Sequence, residues 1–403
     1  MKMKVKADRI TLKRWHDYHA HYRQGELLKF MVKMFMQQGL GRVLAMPNTV
    51  PPILTAPDAL RYKGEIEKAI RITHEETGWP KIDPVMTIQI TEQTTPSDID
   101  AAAAEGIRFA KIYPKNMTTN SGNGVEAYMK LYPVMERVEK YNMIVLFHGE
   151  SPNPQVEGLK KELFFLETFR DFVLAFPGTR FVLEHITTEA AVWCIAILPK
   201  NAAATITPHH LRLTLDNVIG YNAASGYKLR PHNFCKPIAK TEDDARALVM
   251  AAVANQPLSL NYPVGQDPRS LCILKPFNPN DTQFTSEVAT ETNNKFFCGT
   301  DTAPHRRETK ECDGGCAGIF NTPVALASIV EIFEQQNALD QLEPFLSTRG
   351  SDFYGFEQSP DEISIIKQEW KVPDNYPVPG IDSVIVPFMA GSAFQWQLET
   401  TTP

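Results

Sequence analysis

The sequence has few cysteines and no long apolar run. Six of its 403 residues are cysteine, spread along the chain, which does not indicate a disulfide framework and favours a reduced, cytoplasmic protein. No apolar run reaches the roughly 18 residues that a membrane-spanning helix needs. The basic N-terminal segment MKMKVKADRITLKRW is not followed by an apolar stretch, so we do not expect a secretory signal.

An excess of positive charge is also missing. The chain has 41 Lys and Arg residues against 47 Asp and Glu residues, for a formal net charge of -6, so a broadly basic nucleic-acid interface is not expected. Cys312 and Cys316 lie close together in KECDGGCAG, but two thiolates do not complete a tetrahedral zinc site. We interpret that segment as a Gly-rich loop, and we expect the partner to be a small-molecule substrate.

What the sequence contains is a series of short apolar segments separated by helical patterns. We predict eight strands, at residues 17–21, 41–48, 83–90, 107–114, 142–150, 179–186, 202–208 and 294–301. Helical periodicity marks 57–78, 124–141 and 240–254 between them. Strands that alternate with helices indicate a parallel sheet, and eight such units favour a closed (β/α)8 TIM barrel. No Gly-rich dinucleotide-binding fingerprint follows the first strand, which argues against an open Rossmann sheet.

Two regions depart from this rhythm. Residues 256–293 are rich in Pro, Asn, Asp and Thr, and we predict a surface insertion there, with an oligomer contact as the alternative. The barrel is predicted to occupy residues 1–350. Residues 351–403 are predicted to form a C-terminal extension that packs on it.

Six polar side chains lie at or near the C-terminal ends of the predicted strands. They are His19 and His21 on the first strand, Lys111 on the fourth, His148 on the fifth, His185 on the sixth and Asp301 on the eighth. The C-terminal ends of barrel strands converge on one mouth, so we expect these side chains to meet there. Neutral imidazoles and carboxylates are ligands that suit Zn²⁺.

Lys111 does not fit this set as an ammonium ion. A positive charge would repel a metal ion and would be costly to bury in an apolar barrel. The residue fits if its amine reacts with CO₂ to give a carbamate, an anion with two oxygens that could bridge two metal ions.

The motifs around these residues resemble those of the monofunctional dihydroorotases, within the amidohydrolase superfamily. The resemblance runs from about residue 10 to about residue 345, without the insertion. The matching segments are HAHYRQG, VLAMPNTVPPI, FAKIYPKNMTTNSGNGV, LFHGE, LEHITT, TITPHHL, RPHNFCKPIAK, GTDTAPH and CAGIFNTPVAL.

This resemblance implies two zinc ions bridged by a carbamylated lysine. One ion would bind His19, His21, Lys111 and Asp301, and the other would bind Lys111, His148 and His185. Asp301 would act as general base and then general acid. The reaction implied is the reversible interconversion of N-carbamoyl-L-aspartate and L-dihydroorotate in pyrimidine biosynthesis, by a homodimer.

The resemblance also implies a set of substrate contacts. Arg23, Asn48 and His305 would bind the substrate carboxylate, which suits the fork of an arginine. Thr118 and Thr119 lie in a loop that would close over the substrate and stabilise the oxyanion. Ala317 is a further implied contact.

Two other functions remain open at this point. A hydantoinase or dihydropyrimidinase would share the metals and the cyclic amide chemistry, but a substrate without a carboxylate would leave Arg23 unpaired. A catalytically inactive structural partner should have lost metal ligands, whereas all six candidate positions carry competent residues.

Overall fold

Eight parallel strands form the central sheet of the computed structural model, which describes residues 3–6, 8–222, 226–255 and 294–399. Two short antiparallel strands, β1 (Lys4–Lys6) and β2 (Arg9–Lys13), precede this sheet. The parallel strands are β3 (Asp17–Ala20), β4 (Arg42–Ala45), β5 (Asp83–Ile90), β6 (Phe109–Ile112), β7 (Ile144–His148), β8 (Arg180–Glu184), β9 (Ala202–Ile206) and β12 (Phe296–Cys298). They pair in chain order, so the eight predicted strands are confirmed.

The first and last strands are joined just beyond the end of β12. Ala20 forms a parallel bridge with Thr302, and the amide of His21 donates to the carbonyl of Thr302 at 3.1 Å. The amide of Asp301 donates to the carbonyl of His19 at 2.8 Å. These bonds close the sheet, and the predicted (β/α)8 barrel is confirmed.

Helices follow the barrel strands and cover the outside of the sheet. They are α1 (Glu26–Gln37), α2 (Ala56–Thr77), α3 (Pro96–Ala104), α4 (Tyr132–Lys140), α5 (Lys161–Ala175), α6 (Glu189–Ile197), α7 (Leu215–Val218), α8 (Glu242–Val253), α9 (Arg307–Lys310), α10 (Ala325–Gln335) and α11 (Arg349–Tyr354). In the described part of the chain, no helix is both long and apolar enough to cross a membrane.

The sequence locates two of the three predicted helices closely. Helix α2 begins at a capping box formed by Thr55 and Asp58, and α8 begins at a second capping box. The third prediction, at 124–141, is too long at its N-terminal end. Only a 3-10 turn precedes α4 there, and Pro133 lies in the first turn of α4, where a proline is tolerated.

An aromatic cluster fills the barrel interior away from the site. Tyr18, Phe109 and Phe297 come from barrel strands, and Tyr354 enters from α11. A methyl group added at Gly350 of α11 would overlap the Tyr18 ring. The C-terminal helix therefore seals the N-terminal end of the barrel through close aromatic packing.

The C-terminal segment joins the N-terminal strands in a small sheet. Outside the barrel lie β10 (Ile219–Asn222), β11 (Gly226–Leu229), β13 (Glu362–Lys371), β14 (Tyr376–Pro377), β15 (Val384–Ile385) and β16 (Ala393–Leu398). Strand β13 pairs with β2 on one side and with β16 on the other. The division of the chain at residue 350 stays a prediction, and the predicted insertion at 256–293 lies outside the described residues.

Candidate active site

Three of the predicted metal ligands surround one carboxylate oxygen. Nε2 of His19 lies 3.2 Å from Oδ1 of Asp301, and Nε2 of His21 lies 3.1 Å from the same oxygen. The three residues are buried, and their ligand atoms lie within 4.8 Å of one another. Two strands that are distant in sequence therefore build one cluster with the spacing that a metal ion requires.

The other histidines extend this cluster across the barrel mouth. The ring centroids of His19 and His185 are 4.9 Å apart, and those of His185 and His148 are 4.7 Å apart. Lys111 is fully buried on β6, which is paired with β7, the strand that carries His148. The structure thus brings all six sequence-predicted ligands to one end of the barrel.

The backbone is unusual at the strand ends that carry the site. Arg23, His185 and Asp301 have positive φ values of 61°, 42° and 48°. L residues rarely adopt this left-handed conformation, which costs about 1–3 kcal/mol and is concentrated at functional sites.

Burial sets the protonation of these groups. It lowers the pKa of His19 to about 3, with repulsion from Lys111 adding to the effect, and it lowers the pKa of His185 well below its usual range. Burial opposes ionisation of Asp301, but the contacts with His19, His21 and His185 outweigh it and hold the pKa of that carboxyl well below its usual range. The site presents neutral imidazoles around a carboxylate, the donor set that binds Zn²⁺.

Lys111 is the most unusual group in the cluster. Its amine makes no hydrogen bond within the described part of the chain, and burial lowers its pKa well below the usual range. The nearest charged atom is Oε2 of Glu184, at 3.5 Å. An uncharged buried amine is a nucleophile that can react with CO₂, so the residues present fit a carbamate-bridged metal pair.

Two acidic residues that were not predicted from the sequence lie beside the ligands. Glu184 contacts Nδ1 of His19 from the floor of the site, and Oε2 of Glu150 lies 2.7 Å from Nε2 of His148. Strand alternation places Glu184 and His185 on opposite faces, but the positive φ of His185 breaks that alternation. For Glu150 the signal was present, because it lies two residues beyond His148.

A cavity of about 330 Å³ opens beside the metal-ligand cluster. Its walls come from the loops that follow the first, second, fourth and eighth barrel strands. The lining includes His21, Arg23, Gln24, Asn48, Thr119, Asn120 and His305. The predicted carboxylate contacts therefore share one cavity with a predicted metal ligand.

Arg23 and His305 already contact each other in this cavity. Nε of Arg23 donates to the carbonyl of Pro304 at 3.1 Å, and its Nη2 lies 3.0 Å from Nε2 of His305. The same Nε2 atom lies 3.0 Å from the carbonyl of Ala317. One imidazole nitrogen cannot both accept from Arg23 and donate to Ala317, so an anion in the cavity would give Arg23 a better acceptor.

The predicted threonine loop reaches the same cavity. Nδ2 of Asn48 donates to the carbonyl of Thr119 at 3.1 Å, and Oγ1 of Thr119 lies 3.5 Å from the carbonyl of Ala317. Thr118 instead turns back into its own loop, where its amide donates to Oγ of Ser121 at 3.0 Å. In this conformation Thr119, rather than Thr118, borders the cavity.

A second group of possible metal ligands is only partly satisfied by hydrogen bonds. His209, His210 and Cys235 are buried together. Nε2 of His210 donates to the carbonyl of Pro237 at 3.0 Å, and Nδ1 of His209 accepts from Asn321 at 2.9 Å. The bonds of His210 fit a structural role, whereas Nε2 of His209 is buried without a hydrogen-bond partner among the described residues.

Comparison with known proteins agrees with this geometry, although no protein-family model matches the chain. A dihydroorotase of Teredinibacter turnerae is 36% identical over 394 residues, covering 98% of this chain and 99% of that protein. The structure of a dihydroorotase from Saccharomyces cerevisiae, in complex with 5-fluoroorotic acid, has a TM-score of 0.80 at 30% identity, covering 98% of this chain and 99% of that chain. An L-hydantoinase from Arthrobacter aurescens has a TM-score of 0.68 at 12% identity, covering 98% and 86%, and supports the fold alone. The chain belongs to the dihydroorotase family, within the amidohydrolase superfamily.

Proposed function

We propose that this protein is a zinc-dependent dihydroorotase that interconverts L-dihydroorotate and N-carbamoyl-L-aspartate reversibly. The observation that carries the proposal is the cavity in which Arg23, Asn48 and His305 lie beside His21. It combines groups that bind an anion with groups that bind a metal ion. Dihydroorotate has both a carboxylate and a cyclic amide, so one molecule can use both halves of the cavity.

In this proposal Arg23 binds the substrate carboxylate through its guanidinium fork. The contact of Arg23 with His305 would give way to a charge-assisted bond with the anion, which is roughly twice as strong as a neutral one. Nδ2 of Asn48 donates one N–H to the carbonyl of Thr119, and its second N–H would donate to the substrate carboxylate. Binding at Asn48 would therefore couple the substrate to the threonine loop.

The metal-ligand roles follow from the same cluster. His19, His21, Lys111 and Asp301 would hold one zinc ion, and Lys111, as a carbamate, would share the second with His148 and His185. When bound, such a pair of ions lowers the pKa of water and polarises a carbonyl oxygen. Glu184 and Glu150 would orient His19 and His148 through their second ring nitrogens, as carboxylates do beside metal-bound histidines.

Asp301 would move the proton. It would accept the proton of the attacking water as the new C–O bond forms at the ring carbonyl. It would then give that proton to the ring nitrogen as the C–N bond breaks, which is general base and then general acid catalysis. Asp301 is present as a carboxylate, because its contacts with His19, His21 and His185 outweigh the effect of burial and lower its pKa.

A hydantoinase or dihydropyrimidinase is the second candidate, supported by the shared fold. It would leave the Arg23 guanidinium, which is half-buried in the cavity wall, without an anionic partner. The inactive structural partner is disfavoured, because all six candidate ligands are present and adjacent.

A side-by-side assay tests the proposal. The purified protein is given L-dihydroorotate and, separately, dihydrouracil, which has the cyclic amide but no carboxylate. We expect kcat/KM for dihydroorotate to exceed that for dihydrouracil by about 100-fold or more, since a bond to a charged group contributes about 1.5–3 kcal/mol and the clamp has several. A preference for dihydrouracil would favour the hydantoinase instead.

Two further expectations derive from the resemblance of the sequence to the family. We propose that the protein forms a homodimer and acts in the cytoplasm. Light scattering on the purified protein at micromolar concentration would measure its mass, and a mass of one chain would remove the dimer from the proposal.

A further inference from the structure

Lys310 is a buried cation whose hydrogen bonds, within the described residues, all go to backbone oxygens. It ends α9, and its side chain is almost completely buried. Its ammonium group donates to the carbonyls of Phe234 at 2.9 Å, Cys316 at 2.9 Å and Gly318 at 2.6 Å. An ammonium group has three N–H donors, so these carbonyls satisfy all of them.

The three carbonyls belong to two loops that meet beside the cavity. Phe234 lies in the loop before α8, while Cys316 and Gly318 lie in the loop after α9. The amide of Gly318 also donates to the carbonyl of Phe234, at 3.0 Å. Lys310 therefore adds to a junction that also contains this backbone bond and the contact of His232 with Glu311 at 2.7 Å.

Ala317 lies between the two residues of its loop that Lys310 holds. Its carbonyl points to the cavity edge, where Nε2 of His305 lies at 3.0 Å and Oγ1 of Thr119 at 3.5 Å. The backbone of Gly318 has a φ of 141°, and a Cβ there would lie 2.8 Å from Cβ of Ala303. The loop therefore lies directly against the segment that carries Ala303 and His305.

The charge of Lys310 has a cost that a purely structural position would avoid. Within the described residues, Lys310 forms no ion pair, and the titratable groups that act on it are Cys235, Cys316 and Arg23. Burial, opposed by Cys235 and Cys316 and assisted by Arg23, lowers the pKa of Lys310 to about 8. A methionine could fill the same volume without the free-energy cost of burying a charge. We therefore infer that the charge serves to orient the three carbonyls.

We propose that Lys310 is a positioning residue for substrate binding, which joins the two loops and fixes the direction of the Ala317 carbonyl at the cavity edge. The inference rests on the proposed function for the identity of the substrate. It assigns to Lys310 an effect on substrate affinity that is transmitted through Ala317, His305 and Thr119. The metal ligands are not part of this chain of contacts.

The test compares Lys310→Met with a matched lysine elsewhere. Lys161 also holds two loop carbonyls, those of Ser151 at 3.1 Å and Asn153 at 3.0 Å, in a loop that does not line the cavity. For Lys310→Met we expect KM for dihydroorotate to rise by about 10-fold or more, with kcat within about threefold and metal content unchanged. Lys161→Met should leave KM within about twofold.

A second measurement separates this inference from the proposed function. Hydrogen exchange of the Gly318 amide, measured without substrate, should be faster in Lys310→Met and unchanged in Lys161→Met. If the wild-type protein did not use dihydroorotate, the proposed function would fail. The exchange of the Gly318 amide would still show whether Lys310 stabilises the junction of the two loops. If Lys310→Met does not fold, Lys310→Gln, which keeps two N–H donors, replaces it. A wild-type KM, or unchanged Gly318 exchange, in the folded variant would overturn the inference.

Discussion

Asp301 is bound to His19 twice, once through the backbone and once through the side chains. Its amide donates to the carbonyl of His19 at 2.8 Å, and its Oδ1 lies 3.2 Å from Nε2 of the same residue. The first contact closes the barrel, and the second builds the candidate metal cluster. The same two residues therefore both close the barrel and build the candidate metal site.

This double contact leads to a prediction for Asp301→Asn. The substitution keeps the backbone bond and the shape of the side chain, but it removes the group proposed to transfer the proton. We expect turnover of dihydroorotate and of N-carbamoyl-aspartate to fall by about 1,000-fold or more, within the range of general acid–base catalysis. Initial rates in both directions measure this effect, with circular dichroism as the control for folding. Rates near those of the wild type would exclude Asp301 from proton transfer.

Arg23→Met tests the carboxylate clamp. The variant removes the guanidinium that lies 3.0 Å from Nε2 of His305 in the cavity. We expect kcat/KM for dihydroorotate to fall by about 10- to 100-fold, the equivalent of one bond to a charged group. Binding of a carboxylate-free analogue should change much less. Equal losses for the two compounds, measured under the same conditions, would contradict the clamp.

Lys111→Ala tests the bridging carbamate. The buried amine has a pKa well below its usual range and would be removed without adding a charge. We expect the variant to lose most of its bound metal and its turnover, and short carboxylic acids such as acetate to restore part of both by occupying the vacated space. Elemental analysis with and without the acid provides the measurement. A full metal complement in the variant would argue against a bridge through Lys111.

Gly350→Ala tests the aromatic packing at the closed end of the barrel. A methyl group at Gly350 would overlap Tyr18, so we expect a loss of about 1–3 kcal/mol in the free energy of unfolding. Gly64 in α2 is the matched control, because it is also helical, is exposed, and has open space around its Cα. Gly64→Ala should stabilise by up to about 1 kcal/mol. Denaturant unfolding of both variants gives the comparison, and similar stability changes in the two would contradict this account.

Much of the fold could be predicted because its periodicity is local. Each barrel strand is a short apolar run, and each predicted ligand lies at or near the end of such a run. Because the C-terminal ends of barrel strands meet at one face, all six ligands could be predicted to lie together. The predicted carboxylate contacts followed from family motifs rather than from periodicity. Arg23, Asn48 and His305 do share a cavity, while their roles stay predictions.

What the sequence could not reveal depends on backbone geometry and on contacts between distant loops. Glu184 faces the barrel interior on the same side as Val182, and His185 reaches the same site only through its positive φ, which no local pattern specifies. Lys310 acts on loops more than 70 residues apart, such as those of Phe234 and Cys316. The predicted start of the helix at 124–141 was wrong because periodicity alone does not mark where the first turn forms.

The proposed function requires that a zinc pair held by the six clustered residues carries out the hydrolysis. Its most direct test measures zinc content and dihydroorotate turnover on the same samples, before chelation, after chelation and after zinc is returned. We expect about two zinc ions per chain, loss of turnover as the metal is removed, and recovery when zinc is added back. Undiminished turnover in protein that retains less than about one zinc ion per ten chains would contradict the claim.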